Sequence, residues 1–162
     1  MKKVLIIMIA LTLLIFSISG CKKDEDNRNN GSSNEVLILK KLINNEYRLL
    51  EHYKMAKNSL KNPPPFLTYY KEQEMRIEML LKLYEKHDKN LPKNSYENQL
   101  PGFKNIQNAC KTSYDLEKNA QALYQSLLTD EQQPVIKNYV ENFMQKSNSR
   151  TSFLKMCSNS KN

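Results

Sequence analysis

The chain has 162 residues, with 25 lysines and arginines against 17 acidic side chains and a formal charge of +8. The cations are scattered, 11 against 8 acidic residues over 35–89 and 9 against 6 over 90–162. No cationic cluster emerges, so the excess reads as a solvated surface rather than a nucleic-acid or polyanion face, and nucleic acid is not expected as a partner.

Lys2 and Lys3 precede an apolar run from Val4 to Ile18, broken only by Thr12 and Ser17. Fifteen such residues suit a signal-peptide core and fall short of the ~20 that a membrane-spanning helix needs. The run ends in "ISGC", Ile18 to Cys21, which resembles the lipobox of bacterial lipoprotein precursors. The resemblance implies that residues 1–20 are a signal peptide and that Cys21 carries lipid, which makes the membrane the first partner. Loss of Lys2 and Lys3 leaves a formal charge of +6. "CKKDED" also resembles the lysine-plus-acidic export signal of surface-displayed lipoproteins. Attachment to the cell envelope, at the outer membrane, is therefore expected, with surface display as its extension. Residues 21–34 hold no apolar side chain beyond Cys21 and read as a flexible tether reaching roughly 20 Å.

Residues 35–157 show helical periodicity throughout, with no convincing period-two strand and Gly102 as the sole glycine. Ser32 with Glu35 reads as a capping box opening a first helix to about Leu60, with Leu39, Leu42, Glu46, Leu49 and Tyr53 in one row. "NPPP", Asn62 to Pro65, stops that helix and starts a second, from about Pro64 to Asp88, whose stripe holds Phe66, Tyr70, Ile77, Leu80, Leu81 and Tyr84. A third is expected from about Pro101 to Leu128. Thr129, Gln132 and Pro134 open a fourth, with Ile136, Tyr139, Val140, Phe143, Leu154 and Cys157 on one face. Residues 158–162 read as a disordered tail. The fold class is all-α, an antiparallel four-helix bundle. About 12 residues from Lys89 to Leu100 separate helices 2 and 3, and can span roughly 40 Å, one full helix length. A long crossover and a slack short loop are both open at this point.

Polar residues interrupt each stripe: Glu46 on helix 1, Gln73 or Glu74 on helix 2, Ser113 and Glu117 on helix 3, Ser147 and Arg150 on helix 4. A buried carboxylate is costly unless paired or metal-bound. Glu46 precedes Tyr53 by seven residues, and Glu117 precedes Tyr124 by seven, a faint internal repeat. "EYRLLEHY", "FLTYYKEQEM" and "YVENFMQKSNSR", with the steps from Glu46 to Glu72 and from Glu117 to Ser147, resemble the ferritin-like superfamily, in particular an uncharacterised branch of small exported domains. Its di-iron members place a Glu on helices 1 and 3 and Glu-x-x-His on helices 2 and 4. Carried over, Glu46 and Glu117 take the single-Glu slots, Glu72 and Met75 the helix 2 motif, and Ser147 and Arg150 the helix 4 motif. Neither histidine slot holds histidine. His52 and His87 fall too far apart to share a metal.

The resemblance therefore implies a degenerate site with no catalytic residue, metal or cofactor. Arg150 is expected to supply the positive charge that metal once did and to pair with Glu46 or Glu117. The alternative is a residual carboxylate site of Glu46, Glu117 and Glu72 or Glu74, serving a metal-binding, iron-handling or di-iron-type oxidoreductase function. An envelope protein partner and the oligomeric state stay open. Folding helices 3 and 4 about residues 129–131 sets Cys110 some 12 Å from Cys157, too far for a disulfide between regular helices, although a frayed end of helix 4 would close the gap, so their pairing stays open. Met75, Met79, Met144 and Met156 read as core filler.

Overall fold

The computed structural model describes residues 25–88, 90–128 and 134–160, with side chains from residue 33 onward. The segment expected to be a signal peptide, Cys21 and the expected cap at Thr129 and Gln132 lie outside the described residues. The chain divides into compact units at residues 33 and 34, and the bundle belongs to the second. Four helices make up the described regular structure: α1 (Glu25–Ser59), α2 (Pro64–Tyr84), α3 (Ile106–Leu127) and α4 (Pro134–Asn159). Among the described residues there is no strand, and no helix is long and apolar enough to cross a membrane.

The boundaries follow local chemistry, with four corrections, one of them that α2 stops at Tyr84, four residues short of Asp88. α1 begins at Glu25, ahead of the Ser32 capping box and within the segment expected to be a tether. Gly31 alone does not break a helix. Lys61 and Asn62 then adopt left-handed backbone, with φ of 59° and 58°, and the Asn62 N–H closes on the Lys57 carbonyl. Pro63 and Pro64 follow and set α2 going. α3 starts at Ile106 rather than Pro101, because Asn105 caps it by accepting from the Asn108 N–H at 2.9 Å. α4 runs to Asn159, two residues into the expected tail.

Side-chain pairs fix the topology. Glu46 meets Gln73 and Tyr53 packs near Phe66, so α1 and α2 are antiparallel. Glu46 meets Tyr124 while Tyr53 meets Glu117, so α1 and α3 are antiparallel as well. α2 and α3 therefore run parallel, and the chain between them must travel the length of the bundle. It does so along α1: His87 lies by Glu35, Tyr96 by Asn44, Asn94 by Glu51, Phe103 by His52 and Gly102 by Ser59. This is the long crossover, which joins the two hairpins of the four-helix bundle. Gly102 belongs to its closest approach, where a Cβ would come within 2.6 Å of the Ser59 hydroxyl.

Two apolar layers close the ends of the bundle. Leu39, Ile43, Leu80, Tyr84, Ile136 and Val140 are buried toward one end, and Ala56, Phe66, Ala109, Cys110 and Leu154 toward the other. Met75, Met79 and Met156 are exposed, so they are not core filler.

Cys110 and Cys157 form a disulfide with a Cα–Cα distance of 5.9 Å, against the expectation from residue counting. The hairpin register is the reason. Glu117 faces Ser147, four residues further along α4 than a fold at 129–131 places it. Cys110 then faces position 154, and three residues, about 4.5 Å, remain to Cys157. Closing a loop with 47 residues of separation should contribute roughly 2–4 kcal/mol. Urea unfolding with and without reductant should show a loss of that size.

Candidate functional site

Between the two apolar layers lies a layer of polar side chains, one set from each helix. Glu46 and Glu117 are fully buried, as are Gln73 and Ser147, while Arg76 and Arg150 are 5% and 3% exposed. The Glu46 carboxylate accepts from the Tyr124 hydroxyl and the Asn45 amide on one oxygen. Its other oxygen accepts from the Gln73 amide and from Arg76 at 3.4 Å. Glu117 accepts from the Tyr53 hydroxyl and from Arg150 at 3.0 Å on one oxygen, and from the Ser147 hydroxyl on the other.

The layer repeats itself. Glu46 and Tyr53 on α1 match Glu117 and Tyr124 on α3, each pair seven residues apart. Each tyrosine crosses to the other helix's glutamate. Gln73 and Arg76 on α2 match Ser147 and Arg150 on α4, each pair three residues apart. Even the rings correspond: Arg76 sits 4.7 Å from the centroid of Phe143, and Arg150 5.0 Å from that of Tyr69. The layer is thus two copies of one hairpin pattern facing each other.

The copies differ at two points with a visible consequence. Gln73 donates to Glu46 and accepts from Arg150 at 3.0 Å, tying the halves together. Its counterpart Ser147 donates to Glu117, and among the described residues no hydrogen bond runs from Arg76 to it. Arg150 also donates to Glu72 at 2.7 Å, whereas Lys146 stands at the equivalent place for Arg76. Accordingly the Arg76 Nη2 is buried without a hydrogen bond, as is the Arg150 Nε.

No family model, curated protein or solved structure matches the chain.

Of the residues singled out in the sequence, Glu46, Gln73, Glu117, Ser147 and Arg150 come together in this layer. Glu72 sits at its rim, 31% exposed at the side chain, as an outer partner of Arg150. Glu74 does not belong to it: the residue is exposed and accepts a bond from Tyr70. The helix 2 motif is also shifted by one residue, since Met75 is 57% exposed and Gln73 and Arg76 point inward. Arg76 is the member missed in the sequence. Its spacing to Gln73, matching that of Ser147 to Arg150, was the available signal.

Protonation is set by burial and charge. Burial drives the Tyr53 and Tyr124 hydroxyls well above their ordinary range, helped by Glu117 and Glu46 respectively, so both remain donors. Burial alone would raise Glu72, but its bond to Arg150 brings it below the usual value. Burial would likewise lower Arg150, and Tyr53, Glu117 and Glu72 outweigh it and raise the guanidinium. Two carboxylates and two guanidiniums leave the buried layer formally neutral. All four oxygens of Glu46 and Glu117 already accept hydrogen bonds. The set does not fit a two-metal centre, because cations of the chain hold the charge and donors hold the lone pairs.

His52 is buried and bonded through Nε2 to the Ser113 hydroxyl at 2.7 Å. His87 lies 4.0 Å from Glu35 in another part of α1's surroundings, and no group of metal-binding side chains occurs among the described residues. Burial holds His52 down to about 4, with Arg48 lowering it further against the Ala109 backbone and Glu117, which raise it. The unfolded chain takes up this proton near 6.5, so it binds more protons than the folded one between pH 6.5 and 4. Stability contributed by neutral His52 is therefore complete above pH 6.5 and lost as pH falls through that window. From pH 7.5 to 5.0 the loss should be about 2 kcal/mol. Urea unfolding at both pH values should show that difference shrinking in His52→Gln.

Proposed function

We propose that this is a lipid-anchored protein of the bacterial envelope whose domain is a degenerate ferritin-like bundle, acting as a non-catalytic binding or structural module. The supporting observation is the pair Gln73-x-x-Arg76 and Ser147-x-x-Arg150, facing Glu46 and Glu117 from the helices and at the spacing where di-iron members carry Glu-x-x-His. In this reading each lost histidine has become an arginine, and each arginine neutralises one surviving glutamate. Such a layer fixes helix register, and it contributes specificity more than net stability.

Export has its own support. The lipobox "ISGC" and the "KKDED" run stand at the head of the chain, and the Cys110–Cys157 disulfide suits an oxidising compartment.

Two measurements test the reading. Cells labelled with radioactive palmitate should incorporate it into the wild-type protein and not into Cys21→Ala, which should leave the membrane fraction. Elemental analysis of the purified protein should find iron, manganese and zinc well below one per chain. Two metals per chain would favour the iron-handling alternative, and palmitate-free wild-type protein would remove the anchor.

A further inference from the structure

Arg48 stands two residues after Glu46 on α1 and turns outward, toward the crossover. It is half-buried, and among the described residues it has no ion-pair partner. It lines two adjoining clefts. One, of 260 Å³, is polar and cationic, with Lys41, Asn44, Asn119 and Tyr96 around the guanidinium. The other, of 360 Å³, is walled by Leu100, Pro101 and Phe103 of the crossover and by Leu116 of α3. Among the described residues, no carboxylate lines either cleft.

These features define complementary chemistry. A partly desolvated guanidinium without a counter-ion attracts a carboxylate far more than a solvated lysine does, and its planar fork suits two-point contact. The adjoining wall offers rings rather than a long channel: Phe103 packs edge-on against His52 at 4.9 Å, beside Pro101. His52, held neutral by burial, adds no second charge there. The apolar cleft is near the small end of the roughly 300–1,000 Å³ typical of ligand pockets, which suits one or two fused rings.

We propose that the space between the crossover and the α1–α3 pair binds a compact organic anion, a monocarboxylate with a ring-sized apolar body, its carboxylate on Arg48 and its ring against Phe103, Pro101 and Leu116. This goes beyond the reading of the buried layer and does not depend on the anchor or on the loss of metal.

Calorimetric titration of the purified protein with 2-naphthoate tests it, with 2-naphthamide as the uncharged analogue and acetate as the anion without a ring. Saturable one-to-one binding of naphthoate is expected, at least about tenfold tighter than either control. Arg48→Gln should weaken it by a further factor of about ten, while melting as the parent does, since among the described residues Arg48 has no ion-pair partner whose loss would cost stability. Thr112→Glu, at an exposed position lining the same cleft, should abolish binding by presenting a carboxylate to the ligand's own. Absence of saturable naphthoate binding, equal affinity for naphthamide, or undiminished binding in both folded variants would overturn the proposal.

Discussion

Replacing Arg150 by leucine is expected to destabilise the domain by about 3–5 kcal/mol, because it strands a buried carboxylate. Arg150 gives hydrogen bonds to Glu117, Gln73 and Glu72. Without it, Glu117 would keep the Tyr53 and Ser147 hydroxyls but no positive charge, at zero exposure. Arg76 cannot take over, since it is engaged with Glu46 in the other half of the layer. Gln73 would lose the donor that holds its carbonyl, and with it the link between the two halves. Urea unfolding should report the loss, and an unchanged midpoint would show that the pair carries no weight. A double variant, Arg150→Leu with Glu117→Leu, should recover at least about 1 kcal/mol relative to Arg150→Leu alone, since removing both charges avoids the stranded one. Recovery of this kind separates an uncompensated charge from a simple packing defect, which a second leucine would not repair.

The helices and their hairpins were legible because their signals are local. The prolines at 63–65, the tight α1–α2 turn and the apolar rows on α1 and α4 all act within a few residues, and the structure follows them. The 12 residues from Lys89 to Leu100 allowed a crossover without requiring it. What settles it is long-range contact along α1, which periodicity does not encode. The register of α2 was obscured for a physical reason. Glu72, Gln73 and Glu74 are consecutive polar residues, so the stripe has no apolar marker at its centre. Beside them Met75 and Met79 mimic an apolar row while facing water, and Arg76 faces inward. A buried arginine is legible only through the carboxylate that justifies it, and that carboxylate, Glu46, lies 30 residues away. Glu46 and Glu117 stood out because each interrupts an otherwise apolar row. The disulfide was hidden by four residues of hairpin offset, a quantity set by packing between α3 and α4 rather than by either helix.

A variant with Gln73→Glu, Arg76→His, Ser147→Glu and Arg150→His is expected to bind about two divalent metals per chain, where the parent binds well below one. The argument is one of charge and position. The parent layer balances two carboxylates with two guanidiniums. The variant would hold four carboxylates and two imidazoles, which two divalent ions would neutralise in turn, with imidazole at each end. Without metal, four buried carboxylates would have no counter-charge, so the variant should be largely unfolded or its carboxyls protonated. Metal binding and folding would then be one event, as in small metalloproteins whose sites do not exist in the unfolded chain. Circular dichroism with added manganese or zinc should show helicity restored, and elemental analysis of the refolded protein should give the stoichiometry. Manganese suits the oxygen-rich set and zinc the imidazoles, so both should act, while a chelator should reverse either. A variant that folds equally well without metal and binds none would show that the arginine positions do not coincide with metal positions. The proposed ferritin-like ancestry would then fail with it.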